Sequence, residues 1–290
     1  MKNKKQILSM KSRNALVGYA FFSLWIVGFL IFTLYPIIHS LIISFNSVTI
    51  ATDGMKYEWA GFNFYDYALN KDLYFKPKLG SALLMICCTT PIAMVFATII
   101  SMLLNQNYTG RTFFRVLFFF PVIIMSGPVI NQLLNKYTID FSANNPMIFE
   151  FVSIMPEFIA KPCTYILNNF VQILWFSGVQ MLIILAGLKN ISPSLYEAAD
   201  IDGAGAWEKF WTITLPHLVP LLLICAIYTV VDVANYTNND VNVYISRHMF
   251  DINGLYSFSA AMSWIYFAIV MVVLLVVYLI FALVGRKTNK

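Results

Sequence analysis

The sequence predicts an all-α membrane protein with about six transmembrane helices, and three observations carry that prediction. Of its 290 residues, 59% are hydrophobic and only 11% charged, where soluble domains carry about 25% charged residues. A soluble core of this size cannot hide so much apolar surface. The charges are also segregated: no Asp, Glu, Lys or Arg occurs in residues 14–52, 79–110, 116–135, 162–188, 210–231 or 252–285. Each stretch has room for the roughly 20 apolar residues that cross about 30 Å of hydrocarbon. The runs are continuous, whereas barrel strands alternate in short segments, and backbone in lipid must satisfy its own hydrogen bonds, as a helix does.

The spans are placed in order at residues 16–40, 79–104, 113–134, 166–188, 218–234 and 258–284. Ahead of the first lies a basic segment, 1–15, with Lys2, Lys4, Lys5, Lys11 and Arg13. It resembles the start of a signal peptide, but the apolar run continues to Phe45, far beyond a 7–15-residue apolar core, with no small-residue cleavage site close behind. It is read as a retained span. Residues 45–78 form an outer loop whose aromatics (Tyr57, Trp59, Phe62, Phe64, Tyr65, Tyr67) suit the headgroup zone. The link 105–112 is short, and in the outer loop 135–165 the semi-apolar stretch 147–159 reads as a surface helix. The transmembrane domain is 16–284, one unit without internal repeats, followed by a tail, 285–290.

Six spans put both termini on one side. That side carries twelve basic and four acidic residues, and the other seven and ten. Basic loops face the cytoplasm, so the termini are expected there, in a bacterial cytoplasmic membrane. The net charge of +5 therefore reports topology, and no basic patch interleaved with aromatics points to nucleic acid. Cys87, Cys88 and Cys225 fall within spans and Cys163 near the outer face, a spacing that fits neither a disulfide framework nor a zinc site.

The loop 189–217 stands apart, too polar to span and too apolar to be disordered. Ser192 before Pro193 gives an N-cap with proline in the first turn, and Ser194 with Glu197 has capping-box spacing; a helix can begin at either. Gly203 and Gly205 stop it. A second short helix, 206–213, gains an apolar side from Trp207, Phe210 and Trp211, and Pro216 marks the entry to the fifth span. By shape this is a helix–turn–helix whose exposed middle, Glu-Ala-Ala-Asp-Ile-Asp-Gly-Ala, suits docking as well as it suits an ordinary amphipathic loop.

The same loop resembles the E-A-A-x3-G-x9-I-x-L-P signature of ATP-binding-cassette (ABC) importer permeases, through Glu197, Ala198, Ala199, Gly203, Ile213, Leu215 and Pro216. The flanking Leu-Tyr-Glu-Ala-Ala and Ile-Asp-Gly-Ala are similar to the carbohydrate-uptake branch, the maltose and glycerol-phosphate permease subunits. The resemblance implies a type I importer permease fold and a coupling helix seated on a cytoplasmic ATPase, with Glu197, Ala198, Ala199, Asp202, Gly203 and Ala204 as contact and hinge positions. It also implies a second permease subunit, an ATPase dimer that holds the ATP and magnesium, and an extracytoplasmic solute-binding protein. The chain has no phosphate loop of its own, so neither enzymatic activity nor a bound cofactor is expected of it.

Polar side chains in spans are functional candidates by default. Asn169, Gln172 and Gln180 share roughly one face of the fourth span; Asp232 and Asn235 end the fifth, and Trp264 lies in the sixth. Together they are the candidate substrate path, because aromatic planes with amides suit sugar rings; the competing role for such groups is to bond helices together. A rhomboid-type or metalloprotease reading fails for want of G-x-S-x-G and H-E-x-x-H. An ion-gradient-driven secondary transporter is the alternative, but it calls for ionisable residues near the midplane, where only Asp232 comes close.

Overall fold

The computed structural model describes residues 10–51, 54–106, 109–110, 112–117, 150, 154–251 and 256–288. Five of the six predicted spans lie within them as Phe22–Phe45, Phe75–Asn105, Phe170–Lys189, Ala206–Ala234 and Tyr256–Gly285. The predicted third span lies outside the described residues beyond 117, where 112–117 is helical; most of the predicted surface helix 147–159 lies outside them too. The backbone forms two compact units, one of residues up to Lys76 with Tyr244–Tyr266 and the other of Pro77–Val243 with Phe267 onward.

In the first unit, α1 (Met10–Phe29) runs through a π-turn, Leu30–Leu34, into α2 (Tyr35–Phe45). Leu24, Trp25, Ile31 and Phe32 are all exposed, as befits a helix whose solvent is lipid. The segment after α2 holds a β-hairpin that was not expected: β1 (Asn46–Ala51) pairs antiparallel with β2 (Gly54–Trp59), Asn46 opposite Trp59 and Ala51 opposite Gly54. Several of the aromatics expected in the headgroup zone pack around Phe45, whose ring centre lies 5.2 Å from those of Tyr65 and Phe62. Val48 is buried, and its N–H donates to Ser257 Oγ at 2.9 Å. After α3 (Asn63–Asp66) and a second π-turn, Tyr67–Lys71, the long α4 (Phe75–Asn105) carries the chain into the other unit.

There the fourth span, predicted from residue 166, begins at Phe170 and is preceded by a separate helix. Helix α5 (Glu157–Asn168) breaks at Asn169 and resumes as α6 (Phe170–Lys189). After α7 (Pro193–Ile201), α8 (Ala206–Lys209) passes through a π-turn, Phe210–Thr214, into α9 (Leu215–Ala234). The second loop helix and the fifth span are therefore one continuous rod from Ala206 to Ala234, not two elements separated at Pro216. Met94, Ala97, Leu104, Met181, Ile184, Leu188, Leu218 and Leu222 form the core of this unit. Across it Ser101 Oγ donates to the Met181 carbonyl at 2.8 Å, and Thr89 and Tyr165 share a hydrogen bond of 2.8 Å. Gly187 lets α6 and α9 approach: a Cβ there would sit 2.2 Å from Leu221 Cδ1. Two further helices, α10 (Asp240–Met249) and α11 (Tyr256–Thr288), complete the chain.

Candidate functional site

The loop after α6 is built from its anchors outward. Ile191 is buried in the core and Tyr196 packs against it, so the loop is rooted in the span bundle. Ser192 is the N-cap of α7 with Pro193 in the first turn; its hydroxyl bonds that of Ser194 at 2.8 Å, so of the two possible starts the chain uses the first. Asp202 caps the C-terminus. Gly203 adopts φ +76°, a left-handed conformation that glycine takes without steric cost, and the Ala204 N–H closes the turn on the Ala199 carbonyl at 2.9 Å. Gly205, expected to help stop the first helix, starts the second: its N–H donates to Glu208 Oε2 at 2.9 Å.

Two side-chain links that the sequence did not reveal tie α7 to the rod behind it. Lys209 forms an ion pair with Asp200. The Tyr196 and Thr214 hydroxyls share a hydrogen bond of 2.8 Å, and Thr214 also donates to the Lys209 carbonyl at 3.3 Å. The pairs lie 9 and 18 residues apart, beyond the i,i+4 reach of any helix rule, so no local pattern flags them. Glu197, Ala198, Asp202 and Gly203 are exposed on the resulting bracket, and Ala199 and Ala204 are half-buried. Ile201 is 87% exposed and Trp207 71%, so acidic, small and large apolar groups share one uncovered surface. Such a surface suits a close protein contact.

The polar residues of the spans separate. Asn169 makes the break between α5 and α6, with its Nδ2 donating to the Tyr165 carbonyl at 2.9 Å. Gln180 is completely buried; its Nε2 donates to Thr229 Oγ1 at 2.7 Å, and Thr229 in turn donates to the Cys225 carbonyl at 2.7 Å. Gln180 thus joins α6 to α9. Gln172 and Asp232 are half-buried. Asn235 is exposed, its Nδ2 bonded to the Val231 carbonyl at 2.9 Å. Trp264 is half-buried in the unit that holds the first span. Trp175 and Phe176 pack on Tyr236 at ring distances of 5.5 and 5.8 Å, an aromatic group joining α6 to the chain beyond α9. Among the described residues no cluster of His, Cys, Asp and Glu is arranged to hold a metal.

Several long apolar helices, with a compact loop rooted in the core of the second unit, define a multi-pass membrane protein. The chain is 32% identical over 220 residues to a probable ABC transporter permease protein, YesP of Bacillus subtilis (strain 168), covering 75% of this chain and 70% of that protein. With the lactose transport system permease protein LacF of Rhizobium radiobacter it shares 26% identity over 286 residues, 89% of this chain and 91% of that one. The chain belongs to the ABC transporter permease family. Its fold matches a chain in the crystal structure of a bacterial alginate ABC transporter in complex with alginate pentasaccharide-bound periplasmic protein, with a TM-score of 0.68 over 96% of this chain and 98% of that chain at 17% identity. No protein-family model matches the sequence.

Proposed function

We propose that this chain forms half of the translocation pathway of a sugar importer, with an oligosaccharide as cargo, and is driven through the loop 189–217 by a separate ATPase. The observation that carries the coupling role is the bracket itself. Its short helix exposes Glu197 and Ala198, turns on Gly203, and is tied by Asp200–Lys209 and Tyr196–Thr214 to an unbroken rod reaching Ala234. A push on α7 is therefore delivered to a span and not absorbed in a slack linker. The oligosaccharide reading is supported by relatives named for lactose, multiple sugars and arabinooligosaccharides. The reading includes a second permease, an ATPase dimer carrying ATP and magnesium, and an extracytoplasmic solute-binding protein. Asn169, Gln172, Asp232, Asn235 and Trp264 remain its candidates for the route.

The test is to purify the chain from its native membrane and assay what accompanies it. Co-elution of a second permease and an ATPase, with hydrolysis stimulated by a binding protein loaded with one sugar, is the expected result. Elution alone with no ATP hydrolysis, or uptake driven by an ion gradient without an ATPase, overturns the proposal.

A further inference from the structure

The unit that holds the first span contains a cavity of about 750 Å³, within the roughly 300–1,000 Å³ range of small-molecule sites. Its frame is closed on itself. Asp72 accepts hydrogen bonds from the Tyr74 and Phe75 N–H groups at 2.7 and 3.0 Å through one carboxylate oxygen, and from the Tyr244 hydroxyl at 2.8 Å through the other. Tyr244 lies 4.3 Å from the His248 ring, His248 lies 5.4 Å from Phe258, and Phe258 meets Tyr67 edge-on at 5.3 Å. Burial and the adjacent Asp72 carboxylate push the Tyr244 phenol well above its usual range, so the Tyr244–Asp72 bond keeps its proton at any physiological pH.

Around this self-satisfied frame stands a second set of lining groups with hydrogen-bonding capacity to spare. The Asn63 amide, the Tyr67 and Tyr74 hydroxyls and His248 Nε2 make no hydrogen bond among the described residues, and Lys71 Nζ is only 3.9 Å from Asp66. Tyr74 is 67% exposed and Tyr67 49%. Aromatic faces beside unengaged amide, hydroxyl and imidazole groups match a pyranose ring, apolar on its C–H face and polar at its edge. Asp72 already accepts three hydrogen bonds, and Lys71 pairs with Asp66 at 3.9 Å.

We infer that this cavity, bordered by Asn63, Tyr67, Lys71, Tyr74 and His248, is a saccharide-binding site separate from the polar residues of the spans. On the charge-derived topology it lies in the outer loops, where it holds cargo outside the membrane. The inference rests on the sugar-import reading.

The test measures binding of maltotetraose, cellotetraose, arabinotetraose and an alginate tetrasaccharide to the purified full-chain complex without its binding protein, by saturation-transfer NMR and calorimetry. At least one should bind, and Tyr74→Ala and Asn63→Ala, both at exposed positions, should each weaken it about tenfold. Tyr74→Phe should lose less, and Lys56→Ala on the exposed hairpin, outside the cavity and the spans, should leave affinity unchanged. Binding that ignores the cavity variants but falls with Asn235→Ala overturns the site. If no probe binds while the complete importer takes one of them up, the site fails and the import reading stands. If the complex neither binds nor imports any of the four, both fall.

Discussion

Two π-turns in this molecule share a sequence arrangement and differ in everything that surrounds them. Leu30–Leu34 and Phe210–Thr214 each end one residue before an X-Pro pair, Tyr35-Pro36 and Leu215-Pro216, and in each the following N–H reaches five residues back, Tyr35 to Leu30 and Leu215 to Phe210. The widened turn restarts the helix with proline in its first turn, where no N–H is needed. Pro91 and Pro220 sit inside uninterrupted helix, so proline permits the bulge without dictating it. In the first span the bulge stands among exposed side chains, and no side-chain hydrogen bond crosses it among the described residues. At the loop, Thr214 inside the bulge bonds Tyr196 and the Lys209 carbonyl, while Lys209 pairs with Asp200. The same backbone device is left plain in one region and braced in the other. Bracing ties the second joint to α7 through two side-chain links.

That contrast can be broken by substitution, beginning where the effect is greatest. Gly203→Val forces a β-branched side chain into the left-handed region, at about 1–2 kcal/mol or more, and tilts the exposed face of α7. Substrate-stimulated ATPase activity of the complex should fall by more than about tenfold. Gly28→Val in the first span meets no atom within 4 Å and should leave stimulation unchanged. Lys209→Glu places like charges where the ion pair stood. Because Asp200 is largely exposed, stability should change by only about 0.2–1 kcal/mol, yet stimulation should drop several-fold and return in the swapped pair Asp200→Lys/Lys209→Glu. Failure of the swap to restore activity would remove the ion pair from the brace.

Tyr196→Phe deletes one hydroxyl pair, about 0.5–1.5 kcal/mol. Amide exchange over 193–201 should quicken about fivefold, with no change over the first span. The smallest effect is expected from Gln180→Leu. Hydrogen bonds between helices in membranes are worth about 0.6 kcal/mol, and the buried Gln180 Oε1 has no partner among the described residues. Transport should stay within about twofold of wild type; a loss beyond tenfold would return Gln180 to the route.

The five spans among the described residues and the loop 189–217 were legible in the sequence because their signals are one-dimensional: charge-free runs, an N-cap before Pro193, glycines at 203 and 205, and the spaced signature through Pro216. The hairpin was legible in principle, since the polar stretch Thr52-Asp53-Gly54 is flanked by alternating Val48, Ile50 and Tyr57, Trp59. Its aromatics were claimed first by the membrane-interface reading. The π-turns were hidden because Pro216 looks the same whether a helix starts there or passes through with one extra residue per turn. The fate of Gln180 was hidden because an amide on a helical face has the same spacing whether it meets Thr229 or water. The cavity around Tyr74 depends on residues about 190 positions apart along the chain, and no periodicity reports that.

The most direct test of the coupling role is cysteine cross-linking in the native complex, with the four native cysteines replaced. Ala198→Cys on the exposed face of α7 should form a specific cross-link to the co-purified ATPase, and Tyr57→Cys in β2 should form none. An ATPase that co-purifies and is stimulated, yet cross-links nowhere on 193–205, would contradict the assignment of this loop as the coupling element.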